Sequence, residues 1–121
     1  MIFVDKELPK WIMDIVIDSK NNLSFISNDL QEAMTGDDCL VVFCGDENIW
    51  KLEKQIPNNK DVYYIVVGES ADKKFFEKVI ELDMKLFHYV DTSLGIKYVA
   101  NQLNNYFKNS KMIESVIYEL N

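Results

Sequence analysis

The sequence predicts a doubly wound α/β domain: three layers, with a five-stranded parallel sheet in the order 2-1-3-4-5 between helices. Three observations predict it. Near-continuous apolar runs, such as Cys39 to Cys44 and Val62 to Val67, have the composition of strands buried on both faces. Amphipathic stretches at helical spacing alternate with those runs, so that strand followed by helix recurs five times. A length of 121 residues with 48% apolar content suits one domain with a real core.

The elements follow in order. Ile2-Phe3-Val4 is a first strand closed by Asp5. Pro9 stands where a helix accepts proline, and Trp11, Ile12, Ile15 and Val16 then recur at helical spacing until Asn21-Asn22. Leu23 to Ser27 is a second strand, closed by Asn28-Asp29, and a short helix runs from Leu30 to Met34. The third strand, Cys39 to Cys44, is the most apolar. Asn48 is placed to cap a helix through Trp50, Leu52 and Ile56, which Pro57 stops. Val62 to Val67 is a fourth strand, with Tyr63 and Tyr64 giving one ring to each face, and Gly68-Glu69-Ser70 closes it. Asp72 opens a helix predicted to turn Phe75, Phe76, Val79 and Ile80 inward. Leu86 to Val90 is a fifth strand closed by Asp91. Thr92 or Ser93 caps a final helix whose stripe is Ile96, Val99, Leu103 and Tyr106-Phe107. Residues 1–109 form this domain. Residues 110–121 repeat apolar positions at Met112, Ile113, Val116, Ile117 and Leu120, as a helix or linker leading toward a further domain would.

Composition narrows the function. The net charge is −7, and all 13 basic residues are lysine. Base readout and phosphate clamping lean on arginine, and a negative surface repels nucleic acid and anionic lipid, so neither is an expected partner. No apolar run is long enough to span a bilayer. Cys39 and Cys44 lie five apart in one strand, on opposite faces, and are not expected to pair. Reduced thiols without a signal peptide point to the cytoplasm. His88 is the one histidine and sits mid-strand, so a zinc site or a thiol–imidazole pair is not expected. Gly45 and Gly68 follow strands three and four as turn residues. No GxGxxG or GxxxxGK[ST] pattern accompanies them.

Every strand ends near an acid: Asp5 and Glu7, Asp29, Asp46, Glu69, Asp91. Two readings of these acids stand. They cap the helices that follow, where the helix dipole favours negative charge. Alternatively Asp5, Asp29 and Asp46 gather a hard cation such as Mg²⁺, with Glu69 assisting.

The five-unit order and these strand ends resemble the receiver domain of bacterial response regulators, which has the flavodoxin-like fold, over about residues 1–108. The resemblance implies a phosphoryl site at the sheet edge. Two adjacent acids after strand one hold Mg²⁺ in that family; here Asp5 matches the first, Lys6 replaces the second, and Glu7 matches the polar residue after them. An aspartate ending strand three accepts the phosphoryl group; that place falls here on Phe43 or Cys44, and Asp46 comes two or three residues later. Ser70 can fill the place of the Ser or Thr that senses the group, and Tyr89 fits the switch aromatic of strand five. Asp91-Thr92-Ser93 stands where the family has a lysine followed by proline.

Phosphoryl transfer needs an oxygen nucleophile, a metal and a cation to hold the product. The resemblance therefore implies a pseudo-receiver: a non-catalytic regulatory module in bacterial signalling or localisation, without cofactor or small-molecule substrate. It would act on a protein partner or a second copy of itself. In receivers the fourth and fifth helices with strand five form the partner surface, here Lys73, Lys74, Lys78, Glu81, Lys85, Tyr89, Lys97 and Tyr98. Lys6, paired with Asp5, Asp46 or Glu69, would stand in for the metal's charge. The alternative is a Mg²⁺-dependent enzyme or metal-binding receiver that handles phosphoryl groups with the strand-end carboxylates.

Overall fold

The computed structural model describes residues 2–19, 26–35, 39–84 and 86–108. Its elements are β1 (Ile2–Val4), α1 (Lys10–Ser19), β2 (Ile26–Ser27), α2 (Leu30–Ala33), β3 (Leu40–Gly45), α3 (Ile49–Glu53), β4 (Val62–Gly68), α4 (Lys73–Glu81), β5 (Leu86–Asp91), a 3-10 turn (Thr92–Leu94) and α5 (Ile96–Lys108). The strands form one sheet in the order β2-β1-β3-β4-β5, every neighbouring pair parallel. This is the doubly wound, flavodoxin-like arrangement predicted from the sequence. The expected start of the second strand at Leu23 and the segment 110–121 lie outside the described residues. No helix among the described residues is long and apolar enough to cross a membrane.

Alternation along the strands builds two cores. Ile2, Val4, Val41, Phe43, Ile65, Val67 and Val90 face α1 and α5, where Ile12, Val16, Val99 and Leu103 meet them. Phe3, Leu40, Val42, Cys44, Tyr64 and Val66 face α2, α3 and α4, against Leu30, Ile49, Leu52, Phe75 and Val79. Tyr63 packs on the first core and Tyr64 within the second, one ring per face as expected. Both cysteines are free and buried.

Two helices bury less than their periodicity predicted. On α4, Phe75 and Val79 are buried, but Phe76 is 40% and Ile80 78% exposed, which corrects the inward assignment of both. Sheet lies beneath only the Phe75–Val79 stripe, because β5 is the last strand. Ile96 in the first turn of α5 is 67% exposed. The expected cap at Thr92 or Ser93 is also displaced: Asp91 caps the 3-10 turn, accepting from the Ser93 amide. Gly95 then takes a left-handed φ of 101°, where a side chain would be strained, before α5 starts.

Candidate functional site

The strands deliver their carboxyl ends to one rim of the sheet, where a cleft of about 430 Å³ opens. Its walls are the loop after β1 and first turn of α1 (Glu7 to Ile12), the loop after β3 (Gly45 to Asn48), the loop after β4 (Gly68 to Ser70) and Thr92. The cleft sits where the connections diverge, since β1 leads to a helix on one face and β3 to a helix on the other. Ligands of doubly wound sheets bind at this switch point.

Of the residues singled out for a receiver-type pocket, Glu7, Asp46, Ser70 and Thr92 line the cleft. Asp5 lies just behind it and is buried, 6% exposed. Its Oδ1 accepts from the Glu7 amide at 3.0 Å, and its Oδ2 accepts from Asn48 Nδ2 at 3.0 Å. The same Asn48 amide also reaches Glu7 Oε2 at 2.6 Å. Asn48 occupies the residue before α3 but makes no capping bond. It ties the β1 loop to the β3 loop instead, a role the capping assignment missed. Lys6, expected to supply an internal ion pair, is exposed and pairs with none of Asp5, Asp46 and Glu69. A neutral amide bridges the carboxylates there.

Phe43 and Cys44 are not part of the cleft. Both are fully buried, Phe43 in the α1–α5 core and Cys44 in the opposite one. A strand's side chains stand perpendicular to its sheet, so neither reaches the rim. Burial raises the Cys44 thiol far above its ordinary value, and the nearby Asp5 and Asp46 carboxylates raise it further, so Cys44 is no thiolate nucleophile. Burial, more than the nearby Asp61, pushes the Cys39 thiol up to about 11.

Asp46 is the first β3-edge residue whose side chain turns along the rim. Its amide continues the sheet, donating to Val67 O at 2.9 Å. Its Oδ2 accepts from the Ser70 amide and from the Tyr89 hydroxyl, each at 2.9 Å. The carboxylate lies across Gly68, where an added Cβ would collide with it. Gly68 therefore serves close approach rather than the turn expected of it. Tyr89 also receives the Ala71 amide at 3.4 Å. Burial first, and then the bond to Asp46, push its hydroxyl up to about 12.

The remaining strand-end acids hold backbone. Asp29 caps α2 through the Gln31 and Glu32 amides, and Asp91 accepts from the Ser93 amide and hydroxyl. The Ser93 hydroxyl bond, more than the amide, lowers the Asp91 carboxyl. Asp5, Asp29 and Asp46 are not brought together. Among the described residues no three His, Cys, Asp or Glu side chains are gathered to hold a metal ion. His88 stacks edge-on against Tyr106, at 4.7 Å between ring centres, and does not line the cleft. The cleft walls carry Glu7, Asp46, Glu47 and Glu69 and no lysine, so their field attracts cations and repels phosphate.

The surface expected to meet a partner divides. Lys73, Lys74, Lys97 and Tyr98 are exposed. Lys78 is half-buried with its ammonium 4.6 Å from the centre of the Trp50 ring, and Tyr89 is held inward by Asp46. Among the described residues, six of the seven large apolar side chains that are exposed belong to this region: Phe76, Ile80, Leu82, Leu94, Ile96 and Tyr98, with Ile26 elsewhere. Periodicity had assigned Phe76, Ile80 and Ile96 to the core.

No family model, no curated protein and no solved structure matches this chain. The class defined by the structure is the doubly wound α/β domain itself.

Proposed function

We propose that this chain is a non-catalytic regulatory module of the pseudo-receiver kind, working in bacterial signalling or localisation through protein contacts on its α4–β5–α5 side. One observation carries the reading: Asp46, the acid that extends β3 along the rim, is engaged in holding the β4 loop and β5 to each other. A phosphoryl acceptor needs a metal and a cation about its carboxylate. Asp46 instead has an amide and a hydroxyl as its donors, both on Oδ2, and no lysine lines its acidic cleft. The surface that remains apolar and exposed lies at the lateral edge, as a protein contact requires. The Mg²⁺-dependent alternative draws no support from the positions of Asp5, Asp29 and Asp46.

The test is intact-mass spectrometry after incubation with acetyl phosphate and Mg²⁺. The expected result is an unchanged mass. A stoichiometric phosphoryl adduct, lost in Asp46→Asn, overturns the reading.

A further inference from the structure

We propose that the rim cleft is a second contact site, one that takes a lysine side chain from a partner polypeptide. The inference rests on the protein-contact reading above for the source of that lysine. It adds a site distinct from the α4–β5–α5 side.

The cleft joins two kinds of wall. Leu8, Ile12 and Val67 line it from buried positions and Trp11 from a half-buried one, so part of the lining is apolar. The other part is acidic, and its acids are not all engaged in holding loops. Both donors to Asp46 fall on Oδ2, which leaves Oδ1 open. Glu47 and Glu69 are exposed, and among the described residues their side chains enter no hydrogen bond or ion pair. Lys6 and Lys10, on either side of Glu7 in the chain, are exposed, do not line the cleft and pair with none of these carboxylates.

The indole adds a separate preference. The other tryptophan, Trp50, has the Lys78 ammonium 4.6 Å from its ring centre and the Phe75 ring at 5.0 Å. Among the described residues no ring or ammonium lies against Trp11. The face of an indole attracts a cation.

Charge and spacing select the occupant. A phosphate group would meet carboxylates and no lysine. A single metal ion needs its ligands gathered, and among the described residues no three are. A lysine side chain matches both walls. Its methylene stem covers apolar surface, while its ammonium has three donors to share among separated carboxylates. A free polyamine repeats its charge along the stem, where the apolar wall lies. The volume of about 430 Å³ is toward the small end for a ligand cleft, the scale of a side chain rather than a folded segment.

The test is a nuclear magnetic resonance titration of the ¹⁵N-labelled chain with a blocked glycine–lysine–glycine tripeptide. Saturable shifts in the millimolar range are expected at Asp46 to Asn48, at Gly68 to Ser70 and at the Trp11 indole N–H. The norleucine counterpart, which lacks the ammonium, should produce none. Glu47→Gln/Glu69→Gln should weaken binding about fivefold or more, and Trp11→Leu should weaken it as well. Glu77→Gln/Glu81→Gln removes the same charge from α4, away from the cleft, and should leave binding unchanged. The absence of saturable shifts at the cleft overturns the inference, as do equal shifts with the norleucine peptide. Equal weakening by the α4 pair also overturns it, since it marks attraction to net charge alone. Spermidine that saturates the cleft at a hundredfold lower concentration than the tripeptide assigns the site to a free polyamine and removes the partner lysine. These titrations contain no phosphoryl donor and the mass test contains no peptide, so the two proposals fail separately.

Discussion

The rim of the sheet and its β5 edge are built on opposite terms. At the rim, polar groups satisfy one another: Asp5 with Asn48 and Glu7, Asp46 with Ser70 and Tyr89, Asp91 with Ser93. Among the described residues no buried side-chain nitrogen or oxygen lacks a partner. At β5, no strand among the described residues pairs with the outer side, and apolar side chains stand exposed nearby. Doubly wound folds usually keep their ligand chemistry at the rim. The difference teaches that these rim acids hold loops, while the exposed apolar surface is lateral.

The strongest attempt to break this contrast is to put an acid back at the end of β3. Cys44→Asp would bury a carboxylate among Leu40, Val42 and Val66, close to Asp5 and Asp46. An unpaired buried charge costs about 3–5 kcal/mol, a large part of the roughly 5–15 kcal/mol that holds a domain together. The variant should be largely unfolded at neutral pH by circular dichroism. Burial and like charge would raise this carboxyl's pKa in the folded state. Folding should therefore return in part as pH falls toward the free carboxyl value of about 3.9. A Cys44→Asp chain that folds at neutral pH and accepts phosphate would erase the distinction between rim and edge.

Gly68→Ala strikes the rim more gently. The new Cβ meets the Asp46 carboxylate, which cannot swing away without leaving the Ser70 amide and the Tyr89 hydroxyl. A loss of about 1–3 kcal/mol is expected, read as a lower urea midpoint at unchanged slope. In an Asp46→Ala background the same change should cost much less, because the collision is gone. Equal costs in both backgrounds would show that Asp46 is not what Gly68 makes room for.

The contrast also explains what the sequence made legible. Strands, their order and the two-faced core follow from backbone periodicity, and Tyr63 and Tyr64 fell on the predicted faces. The Asp72 cap is equally local: its carboxylate takes the Phe75 amide. Asn48 was misread because its partners, Asp5 and Glu7, are more than 40 residues away in the chain. Phe43 and Cys44 looked like a strand end because the apolar run stops there, yet the rim begins only at Asp46. Phe76, Ile80 and Ile96 have helical spacing, but periodicity does not show how far the sheet extends beneath a helix.

Tyr89→Phe sharpens the rim side by removing one hydroxyl and keeping the ring stack on Phe75 and Phe76. The lost donor should cost about 1 kcal/mol at neutral pH. The hydroxyl titrates at about 12 in the fold, above the roughly 10 of a free tyrosine. A raised folded pKa means that its contribution is complete below pH 10 and fades as pH rises through 12. Urea midpoints of the native chain and the variant should therefore converge across that window. Tyr64 and Tyr106, raised chiefly by burial, weaken both proteins alike and cancel in the difference. A gap that stays constant with pH would deny the Tyr89–Asp46 bond its role.

The smallest effect separates the two flanks of α4. Lys78→Met keeps a flexible apolar stem against Trp50 and removes the ammonium over its ring. Stability should fall by about 0.5–1 kcal/mol, the scale of a partly exposed cation–π contact. Lys73→Ala should register less still, because Lys73 makes only a 3.9 Å pair with Glu77, at 90% and 61% side-chain exposure. A Lys78→Met chain with the native urea midpoint would deny the Lys78–Trp50 contact its role in holding α4 to α3.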